Sequence, residues 1–236
     1  MDFILMLTRA DRTVSDCLRA LDEVAGLGIR HIGFKDVGAD LPTLRQLAAR
    51  IHDLGAISHL EVVSESRDDA LASARAAVDL GVDRLMGGTW IEETLALLEG
   101  TGIEYLPFAG RPFGHPTRLA GTPEQIAADC RRAAAAGCAG VDLLAHRATE
   151  ADPLELVRAA RAATTGRLVV AGSITTPAQI TALGAAGADA FTIGSALFAG
   201  AVDPTAATLK SQLAPVLAVL EEAGTGRQSA ANATSG

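Results

Sequence analysis

Leu168-Val169-Val170-Ala171-Gly172-Ser173-Ile174-Thr175-Thr176-Pro177 opens a stretch that runs through an Ala-rich segment and Gly187 into Ala190-Phe191-Thr192-Ile193-Gly194-Ser195-Ala196-Leu197-Phe198. A short apolar run gives way to a turn, a Thr-Pro pair, an amphipathic segment, a glycine and a second apolar run. Thr176 before Pro177 reads as a helix N-cap followed by proline at the first helical position. Gly187 reads as the helix terminator that accepts positive φ. The unit is strand–helix–strand, and two strands joined through a helix pair in parallel.

The same unit recurs about every 25–30 residues in both directions. Strands are expected at Phe3–Thr8, Ile29–Asp36, Ala56–Ser64, Val82–Gly88, Ile103–Ala109, Gly140–His146, Leu168–Ala171 and Ala190–Gly194. Helices are expected at Val14–Ala25, Leu41–Asp53, Asp68–Leu80, Ile91–Glu99, Pro123–Ala136, Pro153–Ala163, Pro177–Ala186 and Pro204–Ala223. Thr122-Pro123, Asp152-Pro153 and Asp203-Pro204 repeat the start signal, and Gly28, Gly55, Gly81, Gly102, Gly137 and Gly166 repeat the stop. Eight strands alternating with eight helices close a barrel, so the expectation is a single α/β domain, a (β/α)8 TIM barrel over residues 1–223, with a polar, aperiodic and disordered tail at 224–236. An open doubly wound sheet shares the alternation but carries a Gly-rich turn after its first strand. Here that strand runs into Thr8-Arg9-Ala10-Asp11.

Composition narrows the function classes. Of 236 residues, 49% are hydrophobic, and the net charge is −8 with no Lys/Arg run, so a nucleic-acid partner is not expected. The Lys+Arg total of 20 contains only two lysines, Lys35 and Lys210, which makes Lys35 conspicuous. The three cysteines, Cys17, Cys130 and Cys138, have no CxxC or metal-ligand spacing, which fits a reduced cytoplasm. The apolar run at Phe3–Leu7 is too short for a signal peptide or a membrane span. No metal constellation and no dinucleotide fingerprint is evident, and with aromatics at 3% there is no flavin cradle, so no cofactor is expected.

In a barrel, the loops after the last two strands commonly hold a phosphate on backbone N–H groups and a short helix N-terminus. "AGSITTPAQI…GADAFTIGSALF" (Ala171–Phe198) resembles the end of the ribulose-phosphate-binding barrel superfamily and is especially similar to the HisA/HisF-type barrels and related phosphosugar epimerases and decarboxylases. The resemblance implies that Gly172, Ser173, Gly194 and Ser195 bind phosphate, and it implies a homodimer. It covers about Leu168–Ala199. The histidine-pathway isomerases carry an acid–base Asp on strand one, whereas strand one here ends Leu7-Thr8-Arg9 and Asp11 lies beyond it. Furan-phosphate synthases of the aldolase type have a strand-two lysine, and Lys35 sits at a similar place.

Catalytic side chains of barrels come from the C-terminal ends of strands, and side chains alternate along each strand. In strand two that places His31, Gly33 and Lys35 toward the axis. In strand three it places His59 and Glu61 there, and in strand six Asp142, Leu144 and His146. Lys35, Glu61 and His146 are the catalytic candidates, as acids, bases or carbonyl-polarising groups; a lysine in a dry pocket is also a Schiff-base former. An inward Glu61 needs a partner, and Lys35 is the obvious one. Arg9, His59 and Asp142 are candidates for substrate contact. The longest βα loop, Phe108–Arg118, offers Arg111, His115 and Arg118 as a lid over an anion. The expected function is an enzyme that shuttles protons on a small phosphorylated sugar or keto/hydroxy compound, as an isomerase, epimerase or C–C lyase. The alternatives are a Schiff-base aldolase or synthase using Lys35, and a non-catalytic barrel that binds a phosphometabolite.

Overall fold

The computed structural model describes residues 1–222 in full and the backbone through 233. Eight parallel strands form its sheet: β1 (Asp2–Met6), β2 (His31–Phe34), β3 (Ile57–Val62), β4 (Arg84–Gly87), β5 (Glu104–Leu106), β6 (Gly140–Leu143), β7 (Arg167–Val170) and β8 (Ala190–Ile193). Their spatial order is β6-β7-β8-β1-β2-β3-β4-β5. The two ends meet just past β5, where Phe108 pairs in parallel with Asp142, the Asp142 N–H donates to Pro107 O at 2.9 Å and the Ala109 N–H donates to Asp142 O at 3.0 Å. The sheet is therefore a nearly closed (β/α)8 barrel, with the strands within a few residues of the positions the periodicity gives.

The helices are α1 (Cys17–Val24), α2 (Leu41–Asp53), α3 (Arg67–Leu80), α4 (Ile91–Leu98), α5 (Pro123–Ala136), α6 (Pro153–Ala163), α7 (Pro177–Ala186), the short α8 (Ser195–Phe198) and α9 (Leu209–Ala233). Thr122 and Thr176 form reciprocal capping boxes with Gln125 and Gln179, and Asp152 caps α6. One start signal misleads: Asp203-Pro204 opens a turn in which the Asp203 carboxylate accepts from the Thr205 N–H at 2.9 Å, and the helix begins later, capped by Thr208. Asp is as good a turn former as a helix cap, because its side chain accepts from the backbone two residues on in either setting. The tail expected at 224–236 lies outside the fully described residues.

Outward residues of the strands, such as Ile32, Phe34, Leu60 and Val62, join the helices in one large buried cluster. Inside the barrel, Ile4, Met6, Met86, Leu106, Val169 and Ala190 form a separate apolar plug. The plug shares the interior with polar side chains from the same strands: His31, Lys35, His59, Glu61 and Asp142 are all buried. Fully buried charge is costly unless paired, so where these groups find partners decides what the interior is for. Among the described residues, no helix is long and apolar enough to cross a membrane.

Candidate active site

After β1 the chain makes a two-residue ribbon, Thr8–Arg9 against Arg12–Thr13, and turns back through Ala10 and Asp11 at φ 50° and 56°. Left-handed conformations at non-glycine residues cost of order 1–3 kcal/mol each and persist only where the surroundings hold them. Here the surroundings are visible. The Asp11 carboxylate is buried and accepts from Lys35 Nζ at 2.9 Å, from the Thr117 N–H at 3.0 Å and from Arg147 Nη1 at 3.2 Å. The second ribbon strand is tied to β2, because Thr13 Oγ1 donates to Lys35 O at 2.7 Å and accepts from Lys35 N at 2.8 Å. Gly38 makes room for this contact: a Cβ there would stand 2.3 Å from Thr13 O, at a φ of +106°.

Lys35 thus lies between two carboxylates, with Nζ 2.9 Å from Asp11 and 3.1 Å from Glu61. Burial raises the Asp11 carboxyl, but the charges of Lys35 and Arg147 and the Lys35 hydrogen bond outweigh it and hold the group well below the usual carboxylate range. Asp142 is the opposite case. It is fully buried, and neither carboxylate oxygen has a hydrogen-bond partner among the described residues. Burial pushes its carboxyl well above the carboxylate range, and the negative charge of Glu61 adds to this. Both effects favour the neutral acid form of Asp142 beside the ion-paired Glu61.

These groups open onto a cavity of about 300 Å³ lined by Asp11, Lys35, Glu61 and Arg147 on one side and by Gly172–Thr175 and Gly194–Ala196 on the other. Gly172 and Ser173 both take positive φ, 81° and 57°. Among the described residues, no acceptor is recorded for the N–H groups of Gly172, Ser173 or Ile174. Ser195 and Ala196 are the first residues of α8, where an N–H has no partner within the helix. Arg147 lies against this loop, its Nε 2.5 Å from the point where a Cβ on Gly172 would stand. Ala10 N donates to Ser195 Oγ at 3.1 Å and so locks the ribbon to the loop. Unpaired amides and a guanidinium around one small cavity can hold a dianion. The lysine and carboxylates opposite can move a proton or polarise a carbonyl.

The structure brings Lys35, Glu61, Gly172, Ser173, Gly194 and Ser195 together in this cavity. Asp142 is buried nearby, within the fields of the Glu61 and Lys35 charges. His146 does not line the cavity: a short helical turn, Ala145–Arg147, follows β6 and presents Arg147 there instead. Burial pushes the His146 imidazole down, and its Nε2 has no partner among the described residues. His59 lies lower, its Nε2 3.2 Å from His31 Nδ1. Arg9 is exposed on the ribbon, away from the cavity lining. Arg111 and Arg118 belong to a second ribbon, Arg111–Phe113 against Arg118–Ala120, and are exposed there, as is His115 at its turn. Arg111 approaches Glu150 at 3.9 Å, and Arg118 stacks over Phe113 at 4.7 Å.

Asp11, Arg147 and Thr117 were missed as site residues. The positive-φ turn at Ala10 and Asp11 returns to the mouth the acid that strand one lacks, and no glycine or asparagine announces it. Arg147 is one arginine among many, one place beyond the histidine that strand alternation selects.

No family model matches the sequence, and no curated protein matches it. Solved structures do. The chain is similar to the native KDPGal structure at 13% identity and TM-score 0.68, with 97% of each chain covered. It is similar to mandelate oxidase with (S)-2-phenylpropionate at 16% identity and TM-score 0.64, covering 94% of this chain and 71% of that one. It is similar to the FabK M276A mutant from Thermotoga maritima at 16% identity and TM-score 0.57, covering 82% of this chain and 61% of that one, so it spans about three-fifths of that protein's length. At these identities the likeness is one of fold, and the fold it gives this chain is the TIM barrel.

Proposed function

We propose that the protein is an enzyme of the ribulose-phosphate-binding type that moves protons on a small phosphorylated keto or hydroxy compound. The observation that carries this reading is the meeting of two groups in one cavity of about 300 Å³: the unpaired amides after β7 and β8, and a lysine bracketed by Asp11 and Glu61. The phosphate sits on the N–H groups of Gly172, Ser173 and Ser195 with the Arg147 guanidinium beside it, and the carbon skeleton extends toward Lys35. Lys35, held in place by Asp11, stabilises charge that develops on a substrate oxygen, and Glu61 takes the adjacent carbon's proton. A proton that Glu61 takes from one carbon can be returned by the same carboxyl at a neighbouring position. That is the economy of an isomerase or epimerase, and a C–C lyase step uses the same oxyanion stabilisation. A Schiff base on Lys35 is disfavoured by the geometry, because the amine would have to leave both carboxylates to attack a carbonyl. A homodimer remains part of the proposal through the resemblance alone, and a cytoplasmic location through the unpaired spacing of the three cysteines.

The test is solvent exchange. The protein is incubated in D2O with a panel of phosphorylated three- to six-carbon ketones and hydroxy acids, and deuterium incorporation is followed by NMR. Incorporation next to a carbonyl in at least one compound, lost in Glu61→Gln or Asp11→Asn, supports proton shuttling. Saturable binding without exchange across the panel leaves a phosphometabolite-binding barrel.

A further inference from the structure

Beside the phosphate cavity, over the C-terminal ends of β4 and β5, lies a larger chamber of about 510 Å³. The two are neighbours: Thr117 lines the larger chamber, and its N–H holds Asp11, which lines the smaller, at 3.0 Å. The chamber's lining is unlike the rest of the molecule. The chain has only six Phe, one Trp and one Tyr, yet Trp90, Phe108 and Phe113 all line this one space. Trp90 and Phe113 are left half-buried around it. Gly110 and Gly121 bring bare backbone to its wall, and the ribbon Arg111–Phe113/Arg118–Ala120 forms one side. Its two arginines are loosely engaged: Arg111 and Arg132 have side chains 71% and 52% exposed and meet carboxylates only at 3.9 Å and 3.8 Å.

We propose that this chamber is a second ligand subsite and that it takes a planar, unsaturated ring with a polar edge. Aromatic rings gathered on the lining of a concave space, Trp90 among them only half-buried, favour a flat partner, in offset or edge-to-face packing, over a flexible aliphatic one. The loosely held guanidiniums and the Gln125 amide supply hydrogen bonds to the ring's edge. The ring is either the distal part of the phosphorylated substrate or a separate co-substrate. Only the tethered form rests on the phosphate reading of the neighbouring cavity.

Trp90 is the chain's single tryptophan, so its emission reports on the chamber directly. The full-length protein is titrated with benzyl alcohol, inorganic phosphate, methyl phosphate and benzyl phosphate, by fluorescence and by calorimetry. Ala128→Phe is titrated in parallel; Ala128 is an exposed residue of α5 that lines the chamber, so the added ring fills the space without entering the core. A saturable change in Trp90 emission with benzyl alcohol or benzyl phosphate that disappears in A128F, with phosphate affinity unchanged, supports the subsite. If the ring is tethered, benzyl phosphate binds about tenfold tighter than methyl phosphate. If the ring belongs to a co-substrate, the two phosphates bind alike and benzyl alcohol alone gives the response. No saturable response to either benzyl probe, or one that survives A128F, overturns the subsite even where phosphate binds. A ring response with no binding of any phosphate overturns the phosphate reading and leaves the subsite standing.

Discussion

The two ends of the barrel interior use the same strands for opposite ends. On β2 and β3, the lower inward positions hold His31 and His59, and the upper ones hold Lys35 and Glu61. Below, the histidines face one another at 3.2 Å, and burial pushes His31 down to about 4 and His59 well below its usual range. They are neutral packing groups, trimmed at the rim by Asp2, which pairs with Arg167. Above, charges are kept and matched: Lys35 with Asp11 and Glu61, and Arg147 with Asp11. Discharging a group is the simpler way to bury it. The upper end keeps four charges beside unpaired backbone donors, the arrangement on which the proposed function rests. The lesson agrees with the general division of such barrels into a stability end and an active end.

The largest test of this contrast is Lys35→Met. Turnover should fall by about 10²–10⁴-fold, the usual worth of a positioned acid–base or charge-stabilising group. The fold should also weaken, because Asp11 and Glu61 lose a shared buried partner, at a cost of about 3–5 kcal/mol. The double variant Lys35→Met/Glu61→Gln should regain part of that stability in urea melts and none of the turnover. Recovery of turnover would make the upper cluster structural, like the lower one.

Arg147→Ala comes next. It removes one guanidinium from the phosphate loop and one partner from Asp11, so inorganic phosphate should bind about 10–100-fold more weakly by calorimetry, the worth of a hydrogen bond to a charged group. Unchanged affinity would detach Arg147 from the site.

Asp142→Asn sharpens the contrast through pH. The folded carboxyl is raised, so its favourable contribution is complete below the unfolded pKa of about 3.9 and is lost as pH climbs toward the folded value. The amide carries no such titration. D142N should therefore gain stability over the parent as pH goes from 4 to 7, and a pH-independent difference would contradict a raised Asp142 carboxyl.

The smallest effect belongs to the lower end. His31 is depressed to about 4, so the unfolded chain binds the extra proton first, and stability falls as pH drops from about 6.5 toward 4. His31→Gln should remove most of that slope and leave phosphate binding unchanged; altered binding would break the division between the two ends.

The fold was legible because its signals are local and repeated: Thr-Pro or Asp-Pro starts, glycine stops, and apolar runs of strand length. The inward parity of His59, Glu61, Lys35 and Asp142 followed from strand alternation alone. What stayed hidden depends on contacts between loops. Asp11 reaches Lys35 only through a strained turn stabilised by Thr117 and Arg147, residues more than 100 positions away. His146 and Arg147 could not be ranked, because strand alternation stops at Leu143 and a helical turn then decides which side chain faces the cavity. The failure of Asp203-Pro204 as a helix start has the same origin in a turn that competes for the same side chain.

The most direct test is a crystal structure of the protein grown with a phosphorylated three-carbon ketone. The account predicts the phosphate on the N–H groups of Gly172, Ser173 and Ser195, within reach of Arg147, and the carbonyl oxygen within hydrogen-bond distance of Lys35 Nζ. A phosphate bound elsewhere, with those amides facing only water, would contradict it.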